Sequence, residues 1–489
     1  MKIRLAILVS VFLLLLPLAA GCGEEGGGTS VPSAQTDASQ SGVTTTAEET
    51  ADPYADELPS FDFEGEEFHF YTRHMDSFHG EFIVAEETGD VLNDAIYNRN
   101  LAVEERLKVT LAETTENGNT TAARTAVLAG EDTYDVITTR CVYAYNYAEE
   151  GLVIPVEDVP YIDLSKGYWD SNVTEAMSVL GHRYFTAGDF SLTSFDFTHL
   201  LIFNKKLADD YGVGNLYQTV SDGKWTYDAF NEAVSDVTHD LNGDGKMDAN
   251  DGYGFLSSAK QIPPCFWISA GLTSVQKDAD DKPVFNMPSD EKFFTVMEKI
   301  YNITWDNNAW MVSTSGNNVD PAFITQFQAN LALFMDMTCY YIDQFRAMDA
   351  DFGIIPFPKW NEAQDEYYSR IEGCDLFCIP VTNKNLELTG AVLEAMASES
   401  HAVVLPAYYD ITLRTKITRD EESEAMLDLI FSNRVFDWGD TIWCPDIRDG
   451  IFDDMFKEND RDFASKMATL DSTVQALIAK TVEAFEKLN

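Results

Sequence analysis

Tyr134-Asp135-Val136-Ile137-Thr138 decides how the first part of the chain is read. It is a short run rich in β-branched residues, the mark of a buried strand. Upstream, Glu67-Phe68-His69-Phe70-Tyr71-Thr72 alternates apolar and polar residues like a strand with one buried face. Between the two lies a helical pattern from Val91 to Leu107, with Leu92, Ala95, Ile96, Val103 and Leu107 at helical spacing and Asp90 placed to cap it. Lys108 to Ala112 reads as a further strand, and Thr120 to Ala129 as a short helix ended by Gly130. The order is β-α-β-α-β, which predicts an α/β protein with a parallel sheet and helices on its faces. Ligands of such sheets sit beyond the carboxyl ends of the strands. That rule singles out Arg73, His74 and Asp76 after one strand, and Thr139 and Arg140 after another.

The N-terminus carries a different signal. Lys2 and Arg4 precede an apolar run from Leu5 to Ala20, and the small residues Ala19, Ala20 and Gly21 lead to Cys22. Residues 1–21 read as a secretory signal, too short for a comfortable membrane span. Small residues directly before a cysteine resemble a bacterial lipobox, although Ala19 stands where Leu is usual. Cys22 is therefore the expected site of diacylation, with palmitate or a similar acyl chain. Residues 22–59 are Gly, Ser, Thr, Glu, Ala and Pro with almost no large apolar side chains, a composition that forms a flexible tether rather than a core. The expected location is the outer face of the cell membrane, held there by lipid alone.

The 489 residues are 45% hydrophobic and 12% aromatic, enough for two sizeable globular lobes. With 33 basic and 82 acidic residues the net charge is −49, which argues against nucleic acid and against docking on anionic lipid. Apart from Cys22, the cysteines are Cys141, Cys265, Cys339, Cys374, Cys378 and Cys444. Their spacing is irregular, and Cys374 and Cys378, four apart on a strand, would be roughly 13 Å apart, too far to bridge. Buried free thiols are the expectation.

Further along, several short motifs fall in a telling order. Tyr134-Asp135-Val136-Ile137 precedes an aromatic helix. Gly151-Leu152-Val153-Ile154-Pro155-Val156 makes an apolar turn. Leu200-Leu201-Ile202-Phe203-Asn204-Lys205-Lys206-Leu207 steps from strand to helix, and Lys224-Trp225-Thr226-Tyr227-Asp228-Ala229-Phe230 opens another helix. Ala332-Leu333-Phe334-Met335 and Asp351-Phe352-Gly353-Ile354-Ile355-Pro356-Phe357-Pro358 read as later strands. In order and spacing, from about residue 65 to the end, these resemble the family 1 extracellular solute-binding proteins, the group of maltose-binding protein. The resemblance implies a two-lobed, type II periplasmic-binding-protein-like α/β fold with discontinuous lobes joined by a hinge. Lobe one would comprise residues 60–190 with 320–358, and lobe two 191–319 with 359–489. Chain crossovers would fall near 187–193, near 319–327 and near Pro358. It also implies a monomer that captures a small solute, a sugar or oligosaccharide above all, between the lobes and delivers it to the permease subunits of an ABC transporter.

One local motif stands apart from that resemblance. In Asp240-Leu241-Asn242-Gly243-Asp244-Gly245-Lys246-Met247-Asp248-Ala249-Asn250-Asp251, oxygen side chains occupy loop positions 1, 3, 5, 9 and 12. Gly245 fills position 6 and Lys246 offers its carbonyl at position 7, the ligand spacing of an EF-hand calcium loop. Position 12 is Asp rather than Glu, whose shorter arm predicts modest affinity. A structural Ca²⁺ held by Asp240, Asn242, Asp244, Lys246, Asp248 and Asp251 is expected, against the plainer reading of an Asp/Asn-rich turn.

For the solute itself, aromatic faces that stack on sugar rings and polar groups that bind hydroxyls are the chemistry required. Trp267 and Trp443 are the expected stacking rings; Tyr340 and Tyr341 follow Met335-Asp336-Met337, where the family often places a pocket aromatic, and Asp336 and Tyr340 are taken from that stretch as expected ligand contacts. Arg73 and Arg140 are the expected polar contacts. Trp225, which opens a helix, reads as structural. No Gly-x-Ser-x-Gly, His-Glu-x-x-His, P-loop or Gly-x-Gly-x-x-Gly occurs, so no enzyme is expected. A secreted glycoside hydrolase, whose paired carboxylates spacing alone does not reveal, and a surface adhesion module stay open as alternatives.

Overall fold

The computed structural model describes residues 54–488, apart from 76–77, 81, 119, 312–318, 346–347 and 414–420. The signal segment, Cys22, the tether as far as residue 53 and Asp76 lie outside the described residues. No helix among the described residues is long and apolar enough to cross a membrane.

The predicted opening unit is present. Strands β1 (Glu66–His74), β2 (Val109–Asn117) and β3 (Val136–Arg140) alternate with helices α1 (Val91–Leu107), α2 (Thr121–Leu128) and α3 (Cys141–Glu149), followed by the short β4 (Val153–Ile154). Asp90 caps α1 by accepting from the Leu92 and Asn93 amides. The helix buries Leu92, Ile96, Val103 and Leu107 along one face and ends at Lys108 in the left-handed conformation. Next come β5 (His199–Asn204), β6 (Tyr253–Leu256), the hairpin β7 (Val275–Lys277) and β8 (Pro283–Phe285), β9 (Ala332–Thr338) and β10 (Phe352–Ile355). The chain continues through β11 (Ser369–Arg370), β12 (Asp375–Pro380) and β13 (Arg434–Val435).

Two principal sheets result, of order β2-β1-β3-β12-β4 and β10-β5-β9-β6. In the first, β1 pairs in parallel with β2 and β3, while β12 runs antiparallel to β3 and β4. In the second, β5 is antiparallel to β9 and β10, and β6 is parallel to β9. Strands β5, β9, β10 and β12 are buried along their whole length. On β5, Leu201 and Phe203 enter one apolar cluster while Leu200 and Ile202 enter another, so both faces of this strand are covered.

The pairing redraws the expected lobes. Segment 320–358, assigned above to the first lobe, contributes β9 and β10 to the second sheet beside β5. Segment 359–489, assigned to the second, sends β12 back to the first sheet beside β3. The chain passes from first sheet to second within residues 155–198 and returns within 356–374. The crossover expected near 319–327 instead lies in the connection between β6 and β9, two strands of one sheet. Local pattern cannot distinguish these cases, because an apolar strand covered on both faces suits either sheet; its cross-strand neighbours decide.

The six cysteines are free and buried. Trp225 is structural: its indole N–H donates to the Pro356 carbonyl at 3.0 Å, and Thr226 caps the helix Tyr227–Ser235.

Candidate functional site: a cleft between the two sheets

Where the carboxyl ends of β1, β3 and β9 approach the start of β12, the two sheets enclose a cavity of about 180 Å³. It is lined by Arg73, Met75, Arg140, Phe197, Thr338, Tyr341, Glu372, Gly373 and Cys374. Arg140 closes β3 and Thr338 closes β9, while Glu372, Gly373 and Cys374 lead into β12. This is the position that strand-end binding requires. The volume falls below the roughly 300–1,000 Å³ of sites for drug-sized ligands and suits a ligand of about one ring.

The first sheet contributes the two arginines. Arg73 is buried and paired with the buried Asp375, with Nε and Nη2 each 3.0 Å from Oδ1. Its guanidinium carbon lies 4.8 Å from the centroid of Phe78, a cation–π distance. Arg140, by contrast, is partly buried, and its guanidinium forms no hydrogen bond or ion pair with any described residue. The second sheet contributes two aromatic side chains, Phe197 before β5 and Tyr341 after β9. Burial, with the nearby Glu372 charge, pushes the Tyr341 phenol up.

Beneath the cleft lies a buried ionic network. Arg370 donates to both oxygens of Asp440, at 2.5 and 2.8 Å, and also to Gln261. Gln261 in turn donates to Glu372 Oε1 at 3.0 Å. Arg448 lies 3.8 Å from Glu372 and donates to Asp440 at 3.2 Å. Glu372 Oε2 makes no hydrogen bond and stands 3.5 Å from His199 Nε2. Burial alone would raise the Glu372 acid; the His199 ring and the Arg370 and Arg448 guanidiniums outweigh it and hold the group well below the ordinary carboxylate range.

Of the residues singled out from the sequence, the structure brings Arg73 and Arg140 together in the cleft. Asp336 lies deeper, with Oδ1 2.7 Å from His199 Nδ1 and Oδ2 accepting from Ser257 Oγ at 2.6 Å. Tyr340 packs edge-on against His79 and Tyr341, and it is Tyr341 that lines the cavity. Trp267 and Trp443 are corrections: both are core residues. Trp267 is 0% exposed in a helix, Ile262–Ser269, that is buried throughout. Its faces meet Phe293 and Phe452, and its indole N–H donates to Asp437 at 3.0 Å. Trp443 is buried edge-on against Trp438. The reading of the sequence missed Phe197, Thr338 and Glu372. For Thr338 the signal was its place as the last residue of an apolar strand; for Glu372 it was an acid between Ile371 and Gly373 just ahead of another.

The 240–251 loop is shaped by its own oxygens. Asp240 accepts from the amides of Gly243 and Gly245 at 2.6 and 2.8 Å, and both glycines have positive φ. Asn242 accepts from the Asp244 amide, Asp244 from the Lys246 amide, and Asp248 from the Asn250 amide. The buried Asp251 bridges the Leu241 and Asp248 amides. These bonds leave the carboxylates spread. Among the described residues, the group of three ligating side chains with atoms within 4.8 Å of one another is His199, Cys265 and Asp336. There Arg370 Nη1, 3.0 Å from His199 Nε2, opposes a cation.

The two sheets and the cleft between them are those of the type II periplasmic-binding-protein-like fold, the fold of ABC-transporter solute-binding proteins. Among solved structures, the chain is similar to the sugar-binding protein MalE from the phytopathogen Xanthomonas citri, with a TM-score of 0.57 and 14% identity over 86% of this chain and 99% of that one. It is similar to an ABC substrate-binding protein from Listeria monocytogenes in complex with cycloalternan, with a TM-score of 0.54 and 13% identity over 84% and 99% of the two chains. UgpB from Mycobacterium tuberculosis in complex with glycerophosphocholine gives a TM-score of 0.53 and 12% identity over 80% and 96%. No protein-family model matches the sequence, and no curated protein matches it.

Proposed function

We propose that this chain is the extracellular solute-binding lipoprotein of an ABC importer, acylated at Cys22, which takes a small carbohydrate into the cleft between its two sheets and passes it to the permease. The observation that supports this reading is the cleft itself. Strand ends from both sheets supply guanidinium groups, a hydroxyl and two aromatic side chains to one small cavity, in a fold that solute-binding proteins share. The two passages between the sheets, 155–198 and 356–374, are where the halves would rotate to close on the ligand. No covalent chemistry belongs to this reading. Glu372 is the one carboxylate among the described lining residues, and its strongly ionised state is unsuited to the general acid of glycoside hydrolysis. A thermal-shift panel of mono- and oligosaccharides tests the proposal: at least one should raise the melting temperature without being consumed. Consumption of the sugar would establish a hydrolase instead, and binding only to an insoluble polymer would establish an adhesion module.

We further propose that the 240–251 loop holds a structural Ca²⁺. Supporting this are the ligand spacing and the turn, in which each carboxylate oxygen that accepts one amide keeps a second lone pair for a cation. An ion would draw the spread carboxylates inward. Calcium-dependent melting of the wild type and of Asp244→Ala tests it.

A further inference from the structure

The charge in the cleft specifies the ligand more closely. Resting on the reading of the cleft as a carbohydrate site, we infer that the solute carries an anionic group, a carboxylate or phosphate, which seats on Arg140.

The Arg140 guanidinium forms no hydrogen bond or ion pair with a described residue, and no carboxylate oxygen among those residues comes within 4.0 Å of it. In a chain with 82 acidic and 33 basic residues, carboxylates are abundant, and leaving a partly buried guanidinium without one costs free energy. The acid best placed to serve it is already taken. Asp375 is the direct cross-strand partner of Arg140 in the β3–β12 register, but its carboxylate is bound to Arg73. Glu372, the other acid at hand, is engaged by Gln261 and lies among Arg370, Arg448 and His199.

The balance among the described lining residues is therefore a neutralised Arg73, a shared Glu372 and a bare cation at Arg140. A guanidinium with free N–H groups matches the paired oxygens of a carboxylate or phosphate, which neutral hydroxyls do not reproduce. The small cavity limits the rest of the ligand to about one ring, with Phe197 and Tyr341 beside it. The overall charge of −49 does not oppose this at contact range, because salt screens exposed charges beyond about 8 Å at physiological ionic strength.

The test is calorimetric titration of the protein with glucuronate, galacturonate and glucose 6-phosphate, alongside glucose and galactose. At least one acidic sugar should bind about tenfold or more tightly than its neutral counterpart, and comparing the uronates with the phosphate tells which anion is preferred. Arg140→Gln should abolish the difference, whereas Arg140→Lys, which keeps the charge, should retain part of it. Neutral sugars binding as well as acidic ones, or a preference that survives in Arg140→Gln, would overturn the inference and leave the carbohydrate reading standing. Failure of every sugar to bind would remove both.

Discussion

Asp375 lies opposite Arg140 in the strand register, yet gives its carboxylate to Arg73, two Nη/Nε contacts of 3.0 Å closing a pair of residues 302 positions apart. This choice ties the end of β1 to the start of β12. It also fixes which arginine in the cleft remains available.

The Arg73–Asp375 pair is buried, so removing one partner strands the other. Asp375→Asn is expected to destabilise the protein by about 3–5 kcal/mol, and the double variant Arg73→Met/Asp375→Asn by less. Urea unfolding measures both; a wild-type midpoint in Asp375→Asn would show that the pair is not formed.

Trp267 fills the core and spends its N–H on Asp437. Trp267→Ala should cost about 3–5 kcal/mol of stability. A stable Trp267→Ala protein with weakened sugar binding would instead return this ring to the ligand site.

Calcium binding to the folded state alone should stabilise by about 2.7 kcal/mol at 100 times Kd. The melting temperature is expected to rise with calcium and fall with chelator, and Asp244→Ala should remove the response. An unchanged response in that variant would place calcium elsewhere.

The Asp135 carboxyl is pushed up to about 6, mainly by burial, with Asp132, Glu66 and Glu67 adding repulsion against the hydrogen bond from the His69 amide. A raised folded-state value means that stability present below pH 3.8 is lost as pH rises toward 6. Asp135→Asn keeps an acceptor for His69 and should lose that slope, becoming the more stable protein at neutral pH. Equal pH–stability curves for the two proteins, measured by thermal unfolding between pH 3.5 and 7 as an order-of-magnitude window, would refute the assignment.

The opening β-α-β-α-β unit was legible because its signals are local. The β-branched run at 136–138, the Asp90 cap and the periodic face of Val91–Leu107 each act within a few residues. The placement of Arg73 and Arg140 followed from strand ends alone. What escaped was everything set by partners far along the chain. Whether β9, β10 and β12 join the first or second sheet depends on cross-strand neighbours more than a hundred residues away in several cases. Trp267 was expected to stack on the ligand, but Pro263 and Pro264 before it sit in the first turn of a helix, where the missing N–H costs little, and that helix is buried throughout. Glu372 gained its role from Arg370, Arg448 and His199, a network with no trace in local spacing.

On the proposed reading, one small carbohydrate binds in the cleft between the sheets without being transformed. Isothermal titration with the strongest sugar from the thermal-shift panel, followed by chromatography of the recovered sugar, is the decisive test. The expected result is one site per chain, unchanged sugar, and affinity weakened by about 1–3 kcal/mol in Tyr341→Ala. Altered sugar, or undiminished affinity in both Tyr341→Ala and Arg140→Gln, would contradict it.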